Sequence, residues 1–196
     1  MSKPDAARFL MQATLGYDQA LLEDVAKTGP RAWLEAQLNA APETPRPYEP
    51  ATRALWLSFK ERLIRAHGED LVNGDGNNPA LPYKWYFRMA WWQHVLSRRD
   101  DLVRQRVAQA LSEILVVSDA SSLELNSIGM ASYYDLLYDH ALGSYGDLLS
   151  EVALHPMMGI YLTHINNQNA DPVRHIPPYD NLSREIMTLF RIGPLQ

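Results

Sequence analysis

Apolar residues recur at intervals of three and four along almost the whole chain, the spacing of one face of an α-helix. No stretch alternates apolar and polar positions as a half-buried strand does. Residues 5–15 predict a first helix. Asp18 can cap a second that ends near Gly29, and Pro30 suits the first turn of a third, PRAWLEAQLN. The segment APETPRPYEP, 41–50, combines closely spaced prolines with few apolar anchors and predicts an extended linker. A fourth helix is expected over 51–67, followed by a polar loop, GEDLVNGDGNNPALP. Residues 83–97, YKWYFRMAWWQHVLS, predict an aromatic-dense helix, a pattern belonging to a core or to a contact with a partner.

Asp100 or Asp101 can cap the next helix, LVRQRVAQALSEILVV. There Val103, Val107, Ala110, Leu111 and Ile114 form the expected buried face, with Gln105, Gln109, Ser112 and Glu113 on the other side. A Ser-rich loop leads to a helix near 130–142, closed by Gly143. Ser144 can cap another that runs to His155, Pro156 restarts a short one through about Thr163, and a last helix spans 181–190. The expected fold is all-α: an irregular bundle of about nine or ten helices with a Pro-rich linker and two long polar loops. Its expected organisation is a single helical domain over 1–196, with a lead-in at 1–40, the linker at 41–50 and the main bundle at 51–196.

Composition narrows the function classes. An apolar fraction of 46% and a charged fraction of 21% are those of a chain that buries a core. The net charge is −5 and the Lys and Arg residues are scattered, so the clustered cations that grip phosphate backbones are missing and nucleic acid is not an expected partner. With no cysteine there is no disulfide, thiolate metal site or Cys nucleophile. No apolar run approaches the ~20 residues that span a bilayer. The start, MSKPDAARFLMQ, carries Lys3, Asp5 and Arg8 where a signal peptide needs an apolar core, so this stretch is not expected to be an export signal: either the chain stays inside or a leader precedes it.

The densest concentration of functional side chains is NNQNADPVRHIPPYDNLSRE, 166–185. Asn181, Arg184, Glu185 and Thr188 share one helical face, and Leu182, Ile186 and Leu189 form a second. Arg184 and Glu185, as immediate neighbours on a helix, need partners elsewhere, with Glu113, Glu151 and Arg106 as candidates. Glu185, Arg184 and Asn181 are the candidate catalytic residues, and Asn166, Asn167 and Asp171 the candidate substrate-binding ones. A structural hydrogen-bond network would use the same residues. Glu151 and His155, at i and i+4, can reach one point and supply two ligands to a metal; Glu185, Asp171, His164 or His175 would complete the set. A His at a helix end also serves the last carbonyls. Asn73, Asp75 and Asn77 have the spacing of a calcium loop, but Asn78 stands at its glycine position and Lys84 at its closing glutamate. There is no G-x-S-x-G and no phosphate-binding glycine loop, and Ser183 points away from the polar face.

The segments AARFLMQATLGYDQALLEDVAKTGPRAWLEAQL, RQRVAQALSEILVVSD and LHPMMGIYLTHINNQNADP resemble the family catalogued as domain of unknown function 1800. The resemblance covers nearly the whole chain. The family's segment near P-D-E-N-Y-A-R-E-x-M-Q-L-F-T-I-G aligns with PYDNLSREIMTLFRIG, and Asn181, Arg184, Glu185, Met187, Leu189, Phe190 and Gly193 match it. Tyr179, Asp180, Leu182 and Ser183 depart from it, which removes one carboxylate and shortens another. The resemblance implies a mostly helical bacterial protein, commonly exported to the periplasm or beyond and often encoded beside a sulfatase-like protein. It also implies a longer whole, of which this chain is an N-terminal portion. It names neither a cofactor nor an established activity. Two readings result: an exported scaffold or partner-binding module, or a hydrolase, with or without a metal, using the 151–155 and 166–185 segments.

Overall fold

Among the described helices, five start where the residue before them offers a side-chain acceptor to a first-turn backbone N–H. The computed structural model describes residues 1–41, 45–69, 72, 80–97, 100–120, 123–163, 165, 180–188 and 190. Among these residues there are ten helices and no strand. Ser2 caps α1 (Lys3–Ala13) and Asp18 caps α2 (Gln19–Thr28) by accepting the Leu21 N–H at 2.8 Å. Gly29, at φ +93°, makes the turn into α3 (Pro30–Asn39). These three helices enclose Ala6, Leu10, Val25 and Trp33, with Phe9 edge-on to Trp33 at 5.6 Å.

Helix α4 (Tyr48–His67) begins three residues before the expected start, so Tyr48, Glu49 and Pro50 belong to a helix and not to an extended linker. The reason is tertiary. The carboxylate of Asp135 accepts the N–H groups of Tyr48 and Glu49, at 2.9 and 2.7 Å, and Pro50 needs no partner in a first turn. Tyr48 is wholly buried.

The remaining helices are α5 (Trp85–Ser97), α6 (Leu102–Ile114), α7 (Ser127–Asp139), α8 (Tyr145–Leu154), α9 (Pro156–Tyr161) and α10 (Asn181–Met187). Helix α7 starts three residues earlier than expected because Asn126 caps it, accepting the Gly129 N–H at 3.1 Å. It is the most buried element. Met130, Tyr133, Leu136 and Leu137 face a core shared with α8, α9 and Leu182, while Ala131, Tyr134 and Tyr138 face Tyr48 and Ala108.

The expected faces of α6 need correction. Gln105 is buried, whereas Ala110 and Ile114 are exposed. The helix lies between two groups of neighbours, α1 and α3 on one side and α7 on another, so its buried surface is wider than one stripe and rotated toward Leu102, Gln105 and Ala108. No helix among the described residues is long and apolar enough to cross a membrane. The calcium-like loop at 73–79 lies outside the described residues, as does residue 189, through which the expected end of the last helix would pass.

Candidate functional site

The residues singled out from sequence fall into separate places. On α10, Leu182 and Ile186 pack into the core; of the polar stripe Arg184 is exposed, while Asn181, Glu185 and Thr188 are partly buried. Arg184 pairs with Asp180 at 2.7 Å, both side chains being well exposed. Asn181 donates to the Leu162 carbonyl at 3.4 Å, joining α10 to the end of α9. Glu185 is half-buried, and its Oε2 atom is buried without a hydrogen-bond partner among the described residues. The expected counter-ions are engaged locally: Glu113 with Gln109, Glu151 with His140 at 3.2 Å, and Arg106 with Gln109 and the Gln12 carbonyl. Asn166, Asn167, Asp171, His164 and His175 lie outside the described residues.

Glu151 and His155 do line one cleft, of about 280 Å³, together with Arg46, Ser132 and Leu154. His155 Nδ1 accepts the Met157 N–H at 3.2 Å and so caps α9, which places a neutral ring's proton on Nε2. Burial, and then the Arg46 charge, hold the His155 pKa below its usual range. That favours the neutral ring a metal ligand needs, but Arg46 also opposes a second cation in the same space. Among the described residues no three His, Asp or Glu side chains cluster to hold a metal. Residues 145, 149, 150 and 153 line another cavity with Ile186 of α10, on a different face of α8 from Glu151 and Leu154.

Sequence periodicity gave no sign of a buried polar network around Asp101. Its carboxylate accepts from His94 Nε2 at 2.9 Å and from the Tyr138 hydroxyl and Gln105 amide, joining α5, α6 and α7. Desolvation alone would raise its pKa, yet these donors hold it below the usual carboxylate range. None of these four residues lines the clefts beside α2, α5, α8 or His155, so the set reads as an interior brace. Its detectable sequence signal was Gln105, a polar residue one turn after an N-cap aspartate.

The aromatic helix yields a surface. Phe87, Ala90, Trp91, His94 and Val95 of α5 turn inward. Trp85, Met89, Trp92 and Leu96 remain 55, 53, 55 and 78% exposed, and stand at i, i+4, i+7 and i+11 on one edge. Beside this edge a cleft of about 480 Å³ opens between α5, α6, α7 and the 116–119 segment. Its mouth carries Arg88 bound through two nitrogens to Asp119 Oδ2, at 2.6 and 2.9 Å. At its wall, Tyr133 donates to the Leu115 carbonyl at 2.7 Å.

An all-helical bundle with one apolar helix edge left open beside an aromatic cleft is thus the class of protein defined here. Residues 8–196 match the family described as Protein of unknown function (DUF1800), and the chain belongs to that family. Neither the curated proteins nor the solved structures contain a match.

Proposed function

We propose that this chain is an exported, partner-binding helical module that docks through the open edge of α5. The observation that carries this reading is the run Trp85, Met89, Trp92, Leu96. A helix apolar on every side belongs in an interior, and here one side is left uncovered. Apolar anchors at this spacing are how one helix recognises another laid along it. The partner of choice is the sulfatase-like protein that the family resemblance implies is encoded alongside, and export rests on the same resemblance. The test is titration calorimetry between that protein and this chain. Met89→Asp with Leu96→Asp should weaken binding by at least about a hundredfold, the loss of two anchors, with an unchanged Tm. Undiminished binding would refute the reading.

A second reading, a hydrolase, is favoured by one observation, the unpartnered Oε2 of Glu185, a carboxylate oxygen available as a base. Arg184 would hold an anionic substrate, and Asn181, Asn166, Asn167 and Asp171 would orient it. In a metal-assisted form, Glu151 and His155 would supply ligands. Elemental analysis of the purified protein tests that form: stoichiometric zinc, manganese or iron, lost in Glu151→Ala, supports it, and a metal-free protein counts against it.

A further inference from the structure

We infer that what docks along the α5 edge is an amphipathic helix with an acidic flank over α4; this rests on the docking reading above and adds the chemistry of the partner. The edge runs between two unlike flanks. On one, Lys84 and Arg88 lie against the Trp85 ring, at 5.6 and 5.5 Å. Arg88 is held by Asp119 at 2.6 and 2.9 Å and Lys84 by Glu124 at 3.1 Å, so that flank is balanced in charge. The other flank is α4, whose Phe59 meets Tyr86 of α5 with ring centroids 6.0 Å apart.

This second flank carries cations without carboxylates. Arg62 stands over the Phe59 ring at 5.8 Å. Burial raises the Tyr86 pKa and the Arg62 charge partly offsets that rise, so the guanidinium is close to α5 as well. Arg65 follows three residues on, beside Arg62 on the helix surface. Both are exposed, and neither has an ion pair among the described residues. Glu61, the neighbouring acid, is two residues from Phe59 and so projects from the far side of the helix. A guanidinium already held over a ring has less side-chain freedom to lose when a partner's carboxylate arrives.

An anionic bilayer also attracts cations beside apolar side chains, but the charge here disfavours it. Lipid sites of that kind gather about 4–8 Lys or Arg residues. Here Arg62 and Arg65 stand by the edge, Lys60 is turned aside over Trp56, and the whole chain is net −5. A lysine-rich helix is repelled for the same reason that an acidic one is drawn in. The apolar anchors supply affinity, and the two arginines decide which helices are accepted.

Two synthetic amphipathic helices that share one leucine stripe, one flanked by glutamates and its twin by lysines, test this by fluorescence anisotropy. The glutamate helix should bind about tenfold more tightly at low salt, the worth of two rim charges turned from repulsion to attraction. Most of that advantage should vanish in about 0.5 M salt. Arg62→Gln with Arg65→Gln should bring the twins level, and Arg62→Glu with Arg65→Glu should invert the preference. Met89→Asp with Leu96→Asp should abolish binding of both. Equal binding of the twins to the parent, or a preference that survives reversal of the arginines, overturns the acidic flank and leaves the docking edge standing. If neither twin binds, or if the Met89/Leu96 variant still binds, the edge falls and this inference with it. Phosphatidylglycerol vesicles that capture the parent but not the Arg62/Arg65 variants would overturn it in favour of a lipid surface.

Discussion

Asp135 reaches from α7 to accept the backbone N–H of Tyr48 at 2.9 Å, across 87 residues of sequence, and so fixes where α4 begins. Burial raises its pKa to about 6 from 3.8, against the pull of the Tyr48 and Glu49 N–H groups and with help from the negative charges of Asp139 and Glu49. The folded chain therefore holds this proton more tightly than the unfolded chain. The corresponding stability is fully present below the unfolded value and is lost as pH rises through the folded one. At neutral pH the ionised carboxylate carries a net cost of about 3 kcal/mol, what remains of burial and like charge after the two N–H groups, at ~1.4 kcal/mol per pH unit. Asp135→Asn keeps a carbonyl acceptor and cannot ionise. Its Tm should be flatter than the parent's between about pH 4 and 6.5, the window between the two pKa values; parallel curves would show that Asp135 does not titrate there.

Asp101 has the opposite sign. Its depressed pKa means that its contribution is present above the unfolded value of 3.8 and is lost as pH falls through the lower folded value. Asp101→Ala strands the Tyr138 hydroxyl, the Gln105 amide and His94 in the interior. Urea denaturation should register a loss of ~3–5 kcal/mol, the cost of breaking a buried charge-centred network.

Gly129 leaves no room for a side chain. A Cβ there would lie 2.6 Å from the Met157 sulfur and 2.7 Å from the Asn126 Oδ1 that caps α7. Gly129→Ala should lower stability by ~1–3 kcal/mol, as overpacking does. Adding Met157→Ala should recover part of that loss if the sulfur is the obstacle. A double variant whose loss is simply additive would assign the strain to the cap.

On α10 the two charged neighbours should behave differently. Arg184 and Asp180 form an exposed i, i+4 pair, so Arg184→Ala should change stability by less than ~0.5 kcal/mol. Glu185→Gln replaces a half-buried carboxylate with an unpartnered oxygen, and should leave stability unchanged or raise it by ~1 kcal/mol. Thermal melts of the two variants, run side by side, decide the point.

Periodicity and capping residues made the helices legible, because both are local. Asp18, Pro30 and Ser144 stand where the sequence reading put them. What it could not reach was set by distant groups. Tyr48–Pro50 looks like linker until Asp135 is brought beside it, and Gln105 looks solvent-facing until Asp101, Tyr138 and His94 surround it. The same limit applies to sites. Spacing placed Glu151 and His155 on one cleft, but nothing local announced that Arg46, more than 100 residues earlier, lines it too. For α5 the aromatic density left core and contact as alternatives, and the helix turns one face to the core and leaves another exposed.

Helix α7 borders two of the three apolar clusters, whereas the α1–α3 cluster reaches the rest through Leu102 and Val103 of α6. Amide deuteration should accordingly come in tiers. The first three helices can detach as a cooperative unit while the remainder stays folded, and the central amides of α7 should exchange only when the entire chain comes apart.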